Sequence, residues 1–276
     1  MSRQTLPALA SAHHPQPLHD LHGLPPPSPW LLAMELRAPW EFGASMAAWP
    51  LLQRAPRGDG HGVIVYPGLS ANDASTIPLR RFLRHLGYEV HGWEQGFNFG
   101  PRHGVLEMCK AHLRHTEAIV GGKVSLVGWS LGGIYARELA KAMPELVRNV
   151  VTLGSPFAGP PSSTHAGRLY EAVSGRDIQR EREHYDLPVA PPVPFTSIYS
   201  RSDGIVAWQG SIQRPSASNP QTENVEVVAS HIGLGMNPAA WWVLADRLAQ
   251  PEGEWKPFER QHALKRLVFP DPARPH

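Results

Sequence analysis

The chain has 276 residues, of which 42% are apolar, and its 26 basic and 24 acidic side chains give a formal net charge of +2. This apolar content is enough for a sizeable core and excludes a disordered chain, and the near balance of charge gives no reason to expect nucleic-acid binding. A single cysteine, Cys109, rules out an intramolecular disulfide. The sequence contains no run of about 18 apolar residues, so no membrane span is predicted.

The N-terminal part of the chain divides into a tail and an arm. Residues 1–28 are rich in proline and histidine and predict a loose tail, whose histidines are not spaced as a metal site. This tail lacks the continuous apolar stretch of a secretory signal, so a cytoplasmic location is expected. Residues 29–59, the N-terminal arm, are apolar and predicted to be partly helical. The arm is expected to pack on the main domain, with a substrate entrance or a dimer face as the alternative.

Residues 60–249 alternate short apolar strands with amphipathic helices. Strands are predicted over residues 61–66, 89–91, 124–129, 149–153, 195–199 and 225–228. Helices are predicted over residues 78–86, 104–116 and 133–143, and a last helix begins at the cap Asn237-Pro238. Because strands that are apolar throughout are buried on both faces, this order predicts an α/β fold, a mostly parallel sheet with helices on both faces.

Two segments depart from this alternation. Residues 158–194, the insertion, begin and end with prolines and contain a predicted helix around residues 169–173, followed by a strongly charged stretch. We interpret the insertion as a small cap or lid over a site; an ordinary surface excursion is the alternative, because long insertions cost little stability. Residues 250–276 are again rich in proline and predict a segment that wraps the surface.

The most informative motif is a G-x-S-x-G pentapeptide, Gly128-Trp129-Ser130-Leu131-Gly132, between a predicted strand and a predicted helix. In a nucleophile elbow the serine sits on a strained strand-to-helix turn, and small neighbours let the strand and the helix approach. Gly128, Gly132 and Gly133 meet that requirement. The context therefore predicts that Ser130 is a nucleophile; the alternative is a glycine-rich turn that contains a serine by chance.

A nucleophilic serine needs a base and a group that orients the base. In a parallel sheet these groups come from loops at strand ends, in the chain order serine, acid, histidine. Asp203 and His231 each follow a predicted strand in that order. We therefore predict a catalytic triad of Ser130, Asp203 and His231, although an aspartate before glycine is in isolation usually a turn residue.

Four other residues are alternatives for the acid or the base of this site. Asp177, His165 and His184 lie in the insertion rather than after a strand. Glu226 lies inside a predicted strand, from which its side chain would not easily reach the loop histidine. None of the four therefore displaces Asp203 or His231 as the predicted partner of the serine.

Two backbone amides are expected to bind the oxyanion that develops during acyl transfer. One belongs to Leu131, directly after the nucleophile, and the other to the oxyanion loop, residues 66–70, which follows the first strand. Gly68 lets this loop bend so that the amide of Leu69 points into the site. The amide of Ser70 is the second choice.

Five motifs at these positions resemble those of bacterial lipases and esterases of the α/β-hydrolase superfamily. They are Tyr66-Pro67-Gly68-Leu69, Gly128-Trp129-Ser130-Leu131-Gly132-Gly133, Gly154-Ser155-Pro156-Phe157, Ser202-Asp203-Gly204-Ile205-Val206 and Ser230-His231-Ile232-Gly233. The resemblance implies the α/β-hydrolase fold and hydrolysis of carboxylic esters through an acyl-enzyme. One departure is Pro67, where many lipases have a histidine, and it weakens the assignment to true lipases rather than esterases.

The predicted function is thus hydrolysis of a small-molecule or lipid-like acyl ester. No metal-ligand cluster or dinucleotide-binding glycine motif is found, so neither a metal nor a redox cofactor is implied, and nothing predicts an oligomer. The same triad also serves thioesterases, amidases, lactonases and acyltransferases, because the fold does not fix the substrate. A non-catalytic binding protein is a further alternative, although a binding module has no need of all three triad residues.

Overall fold

A computed structural model describes residue 21 and residues 23–175, 185–214, 216, 219–260 and 263–271. Most of the predicted tail therefore lies outside the described residues. So does the charged stretch of the insertion, with Asp177 and His184, and so does the end of the proline-rich C-terminal segment.

Within the described part of the chain, six strands form one sheet in which every neighbouring pair is parallel. The strands are β1 (Gly62–Tyr66), β2 (Glu89–His91), β3 (Val124–Trp129), β4 (Val147–Leu153), β5 (Phe195–Tyr199) and β6 (Thr222–Glu226). Their order across the sheet is β2-β1-β3-β4-β5-β6. All strands therefore end at one edge, where the loops that follow them meet.

Helices precede, connect and follow the strands. The α-helices are α1 (Pro29–Ala33), α2 (Ala38–Ala47), α3 (Trp49–Leu52), α4 (Ile77–His85), α5 (Val105–Val120), α6 (Leu131–Ala142), α7 (Ala166–Ser174), α8 (Pro238–Leu248) and α9 (Ala263–Val268). Short 3-10 helices lie at Met34–Arg37, Asp73–Thr76, Pro144–Leu146, Pro161–Ser163, Trp208–Ser211 and Leu234–Met236. Among the described residues, no helix combines the length and the apolar character needed to cross a bilayer.

Two clusters of buried side chains lie on opposite faces of the sheet. Alternate residues of one strand enter different clusters: Val63 packs on the face that α4 and α8 cover, and Ile64 on the face that α5 and α6 cover. On the first face, the rings of Phe82 and Trp241 stack with their centroids 5.0 Å apart. Burial on both faces explains why the strands are apolar throughout, and it confirms the predicted parallel sheet with helices on both sides.

Strand β6 is the one strand whose limits differ clearly from the prediction. Residues 225–228 were expected from their valines, whereas the strand spans Thr222–Glu226. The polar side chains of β6 have hydrogen-bond donors nearby. Glu223 accepts hydrogen bonds from the side chains of Thr196 and Arg247, and Asn224 accepts one from the backbone amide of Gln213. Because β6 forms an edge of the sheet, such polar residues remain compatible with a strand, and an apolar pattern alone does not reveal them.

The N-terminal arm contains α1, the 3-10 helix Met34–Arg37, α2 and α3. Ala38, Ser45 and Leu52 are buried, and Ser45 Oγ donates a hydrogen bond to the carbonyl of Met236. The arm thereby lies against the segment between β6 and α8, which also carries His231. This placement brings its side chains close to the loops at the carboxyl end of the sheet.

Candidate active site

The turn between β3 and α6 presents Ser130 in a strained conformation, with φ 54° and ψ −120°. A non-glycine residue rarely adopts such backbone angles, and residues that do so concentrate at functional sites. The amide of Ser130 donates to the carbonyl of Leu153 at 2.8 Å, which fixes the turn to β4. A Cβ at Gly132 would lie 2.3 Å from the carbonyl oxygen of Tyr66. The glycine therefore permits the close approach that the elbow requires.

The structure brings Ser130, Asp203 and His231 into one hydrogen-bonded series. His231 Nε2 lies 2.9 Å from Ser130 Oγ, and His231 Nδ1 lies 2.6 Å from Asp203 Oδ2. Asp203 and His231 are buried, whereas Ser130 is partly exposed. The carboxylate favours the tautomer with its proton on Nδ1, which leaves Nε2 to accept the serine hydroxyl proton.

The second oxygen of Asp203 anchors the acid. Oδ1 accepts hydrogen bonds from the amides of Ile205 at 2.9 Å and Val206 at 2.7 Å. These bonds belong to the acid loop, residues 200–206, which follows β5. With one oxygen held by the backbone, the other is directed at His231.

The surroundings of His231 act in opposite directions on its pKa. Burial lowers the pKa of the imidazole, whereas the charge and the hydrogen bond of Asp203, together with the charge of Glu35, raise it. The net effect is a pKa of His231 above the ordinary value of a histidine. The site thus favours the charged ring that a base becomes when it accepts a proton.

In the described part of the chain, the amides of Leu69 and Leu131, which are expected to bind an oxyanion, lack the backbone acceptor that the amide of Ser70 has. Leu131 is the first residue of α6, so its amide has no acceptor within the helix. Among the described residues, no protein acceptor is found for the amide of Leu69, whereas the amide of Ser70 donates to the carbonyl of Asn98 at 2.7 Å. Ser70 is therefore unsuited to the role, and Leu69 and Leu131 remain the candidates.

Asn98, which the sequence analysis did not single out, holds the oxyanion loop through a side-chain hydrogen bond. Its Nδ2 donates to the carbonyl of Pro67 at 2.8 Å, and its Oδ1 accepts from the hydroxyl of Tyr135 at 3.2 Å. The side chain is fully buried. Its position in a glycine-rich loop, between Gly96 and Gly100, was the one local signal that could have drawn attention to it.

An apolar cavity of about 650 Å³, the open solvent at its mouth included, is lined in part by Leu131, the residue that follows Ser130. Residues of α6, of α7 and of the loop before α5 contribute to its walls, which are formed by Pro101, Leu106, Leu131, Ile134, Tyr135, Glu138, Pro156, Tyr170, Tyr185 and Leu187. Burial raises the pKa of Glu138, and the neighbouring Lys141 opposes that effect. The cavity therefore suits an apolar group much better than a charged one.

The described parts of the insertion contribute to this cavity. Tyr170 comes from α7, and Tyr185 and Leu187 come from the segment that leads towards β5. Arg102 donates to the carbonyl of Val173 at 2.7 Å, and Arg137 donates to the carbonyl of Leu187 at 2.8 Å. The described parts of the insertion are thus fixed to the loop before α5 and to α6.

Two of the remaining candidates, His165 and Glu226, have partners outside the triad. His165 Nε2 lies 2.8 Å from the carbonyl oxygen of Pro27, and Glu226 pairs with Arg201 at 3.2 Å. Asp177 and His184 lie outside the described residues. Neither of the two described candidates is the partner of Ser130 or His231.

Two carboxylates of the N-terminal arm were also missed by the sequence analysis. Glu35 accepts the amide of His231 at 2.8 Å, and Glu41 accepts the amide of Ser230 at 2.7 Å. Both contact the base loop, residues 229–233, which follows β6. The arm is largely apolar in sequence and carries no recognisable motif at these glutamates, so no local signal pointed to this contact.

A separate group of possible metal ligands lies near the end of β2. His91, Glu94 and His112 each offer a donor atom, and these atoms lie within 4.8 Å of one another. Tetrahedral zinc with bonds of about 2.1 Å places its ligands roughly 3.4 Å apart. The side chains would have to converge to hold an ion, and the triad does not depend on them.

The comparisons with known proteins give the fold. No protein-family model matches the sequence, and no curated protein matches it. Aspergillus fumigatus lipase B has a TM-score of 0.57 at 20% identity, over 71% of this chain and 54% of that one, so this chain spans about half of that lipase. A lipase from Bacillus licheniformis in its mature form has a TM-score of 0.51 at 17% identity, over 71% and 95% of the two chains.

A pyrethroid hydrolase from Sphingobium faniae is similar to the same extent. Its TM-score is 0.51 at 19% identity, over 70% of this chain and 98% of that chain. The chain has the α/β-hydrolase fold, as the resemblance of its motifs implied. At these identities the likeness establishes the fold alone, and the chemistry must be argued from the site.

Proposed function

We propose that this chain is a serine ester hydrolase that works through an acyl-enzyme. The observation that carries the proposal is the hydrogen-bonded series from Ser130 through His231 to Asp203, with distances of 2.9 and 2.6 Å. It joins a nucleophile, a base and an acid that come from the ends of three different strands. The strained backbone of Ser130 supports the same role, because strain of this kind is maintained mainly where function needs it.

Acylation begins when Ser130 Oγ attacks the carbonyl carbon of the ester. His231 Nε2 takes the hydroxyl proton, and Asp203 stabilises the imidazolium that results. The carbonyl oxygen becomes negatively charged in the tetrahedral intermediate, where the amides of Leu69 and Leu131 donate to it. When the intermediate collapses, the ester C–O bond breaks and His231 passes its proton to the departing alcohol.

Deacylation repeats the sequence with water as the nucleophile. His231 removes a proton from the water as its oxygen attacks the acyl carbonyl, and the same two amides bind the second oxyanion. Collapse then breaks the bond to Ser130 Oγ, which receives the proton from His231. The carboxylic acid leaves, and the triad returns to its starting protonation state.

The apolar cavity that Leu131 lines supports an ester with an apolar acyl or alcohol part. Leu131 and Ile134 of α6 and Leu187 of the insertion supply aliphatic walls, and Tyr170 and Tyr185 supply aromatic ones. We place the apolar part of the substrate there. We also propose that the insertion acts as a cap over this cavity, since residues from both of its described parts line it.

A ladder of p-nitrophenyl esters from acetate to palmitate tests the function, with wild type and a Ser130→Ala variant. We expect turnover by the wild type and its loss in the variant, with thermal unfolding showing that the variant is folded. The preferred chain length separates an esterase from a lipase. Turnover that persists in a folded Ser130→Ala protein would remove the serine from the mechanism.

The other uses of the triad are outcomes of the same test. If no ester of the ladder is hydrolysed, an organophosphonate probe is applied to wild type and to Ser130→Ala. Labelling at Ser130 would retain the activated serine and point to a thioester, amide, lactone or acyl-transfer substrate. Absence of labelling would leave a hydrolase-fold binding protein.

A further inference from the structure

A glutamate of the N-terminal arm, Glu35, lies between the acid loop and the base loop. Its Oε1 accepts the amide of Gly204 at 2.7 Å and the amide of His231 at 2.8 Å, and its Oε2 accepts the amide of Ile232 at 2.9 Å. One carboxylate thus contacts the residue after the triad acid, the triad base itself and the residue after the base.

The environment of Glu35 is unusual for a carboxylate. The residue is 6% exposed, and no lysine or arginine of the described residues forms an ion pair with it; Arg37, close by in the chain, pairs with Glu41 at 3.1 Å. A buried charge without a counter-charge is costly unless hydrogen bonds replace the lost water. Three backbone amides supply those bonds, so the carboxylate and the two loops are matched to each other.

The glycines of both loops leave space for the arm. A Cβ at Gly204 would lie 2.1 Å from the carbonyl oxygen of Leu31 and 2.9 Å from Glu35 Oε1. A Cβ at Gly233 would lie 2.0 Å from Glu41 Oε2. Because a Cβ cannot lie so close to the backbone carbonyl of Leu31, Gly204 is fitted to the docked arm, and Gly233 leaves room for the side chain of Glu41.

Two further side chains of the arm hold the same loops. Arg37 donates to the carbonyl of Ser202 at 3.0 Å and to its hydroxyl at 2.7 Å, in the acid loop. Glu41 accepts the amide of Ser230 at 2.7 Å, in the base loop. Since Arg37 and Glu41 also pair with each other, the arm connects the two loops at a second place.

We propose that Glu35 is a positioning residue of the reaction, which fixes the backbone of His231 relative to the acid loop and whose negative charge favours the imidazolium. This inference rests on the proposed function, because positioning has a meaning only if His231 acts as the base. Glu35 contacts the backbone of His231 and of its neighbour Ile232, so it would act through His231.

Within the described part of the chain, the charges that act on the pKa of His231 are those of Asp203 and Glu35. Asp203 from the acid loop and Glu35 from the arm both raise the pKa of His231, and Ser130 on the remaining side carries no charge. Arg37 and Glu41 form a neutral pair next to the loops. Removing the charge of Glu35 should therefore lower the pKa of His231, which Asp203 alone would then support.

The test is a Glu35→Gln variant, assayed on the best ester of the wild type. An amide side chain has nearly the same shape, but it carries no charge, and its nitrogen would face a backbone N–H. We expect kcat to fall by about 10- to 100-fold, because small displacements of a catalytic group have effects of that size. KM should change little, and the acid limb of the pH profile of kcat/KM should move to lower pH.

A Glu223→Gln variant is the matched control. Glu223 is also shielded from solvent and also accepts a backbone amide, that of Phe258 at 2.7 Å, but its other partners lie in β5 and α8. We expect this variant to lose thermal stability while its kcat and pH profile stay those of the wild type. A Glu35→Asp variant should restore much of the pH profile, because the charge returns.

The outcomes separate this inference from the proposed function. A wild type that neither turns over esters nor reacts with the organophosphonate probe contradicts the function itself. An active wild type with a folded Glu35→Gln variant of unchanged kcat and pH profile overturns the role of Glu35 and leaves the function intact. If Glu35→Gln does not fold, Glu35→Asp decides: the shorter carboxylate cannot reach both loops, so wild-type kcat in that variant would equally overturn the proposal.

Discussion

The indole Nε1 of Trp129 donates a hydrogen bond of 3.1 Å to the carbonyl oxygen of His231. Trp129 therefore holds the backbone of His231, and the elbow and the base loop are connected independently of the hydrogen bond between Ser130 and His231. Trp129 does not line the apolar cavity, in contrast to its neighbour Leu131.

Trp129→Phe should keep the ring packing and lose this bond. We expect kcat to fall several-fold at nearly constant KM, and the free energy of unfolding to fall by about 0.5–1.5 kcal/mol, the net contribution of one hydrogen bond. Steady-state kinetics and urea titration measure the two effects. Trp255→Phe, which alters a tryptophan of the C-terminal segment, is the control; equal kinetics in both variants would count against the connection.

Asn98→Ala should weaken the oxyanion site without touching its donors. The side chain that holds the carbonyl of Pro67 is removed, so the amide of Leu69 loses its fixed direction. Because loss of an oxyanion donor costs about 100- to 1000-fold in kcat, a misdirected donor should cost less, roughly tenfold. Asn149→Ala removes another buried asparagine, at the far end of β4, and should lower the melting temperature without this loss of kcat.

The pH dependence should follow the raised pKa of His231. The base must be neutral to accept the serine proton, so kcat/KM should rise with pH and reach its half-maximum above the ordinary histidine value of about 6.5. A rate that stays flat from acid to neutral pH would contradict His231 as the base.

The stability of the fold should respond to pH in the opposite sense. A histidine whose pKa is higher in the folded than in the unfolded chain stabilises the fold when both states are protonated. That contribution is complete below the unfolded value and is lost as pH rises through the folded one. Urea titrations of wild type and a His231→Ala variant at several pH values isolate it; the difference between the two proteins should shrink as the pH rises.

Filling the cavity should change the chain-length preference. Ile134→Trp places a larger ring on the wall of the apolar cavity, so we expect KM for long acyl esters to rise while acetate hydrolysis is retained. Ile119→Trp, at an exposed position of α5, is the control for the substitution itself. An unchanged ester profile in the Ile134 variant would remove the cavity from the substrate path.

The features that could be predicted from the sequence depend on neighbouring residues or on the order of strands and loops along the chain. The elbow at Ser130 depends on neighbouring glycines, and Asp203 and His231 were identified because loops after parallel strands converge at one edge. Glu35 could not be found in this way, because its partners Gly204 and His231 are 169 and 196 residues away. A glutamate in a largely apolar segment is typical of a solvent-facing residue, and only the tertiary structure shows that Glu35 is buried.

The bounds of strand β6 also could not be predicted from the sequence pattern. The edge strand includes Thr222, Glu223 and Asn224, because other elements supply hydrogen-bond partners for its polar side chains. A pattern of apolar residues contains no information on those partners. The choice between Leu69 and Ser70 likewise depended on a distant residue, Asn98, whose carbonyl accepts the amide of Ser70.

The arm precedes every strand of the sheet in the chain, whereas the acid and base loops that it joins follow β5 and β6. Contacts between residues so distant in the chain are slow to form, because a long loop must close before they contribute. The sheet can assemble from nearer neighbours, and the arm can dock only when the segment with His231 is in place. Maturation of the site should therefore be a late step, and on refolding esterase activity should return after the far-ultraviolet circular dichroism signal.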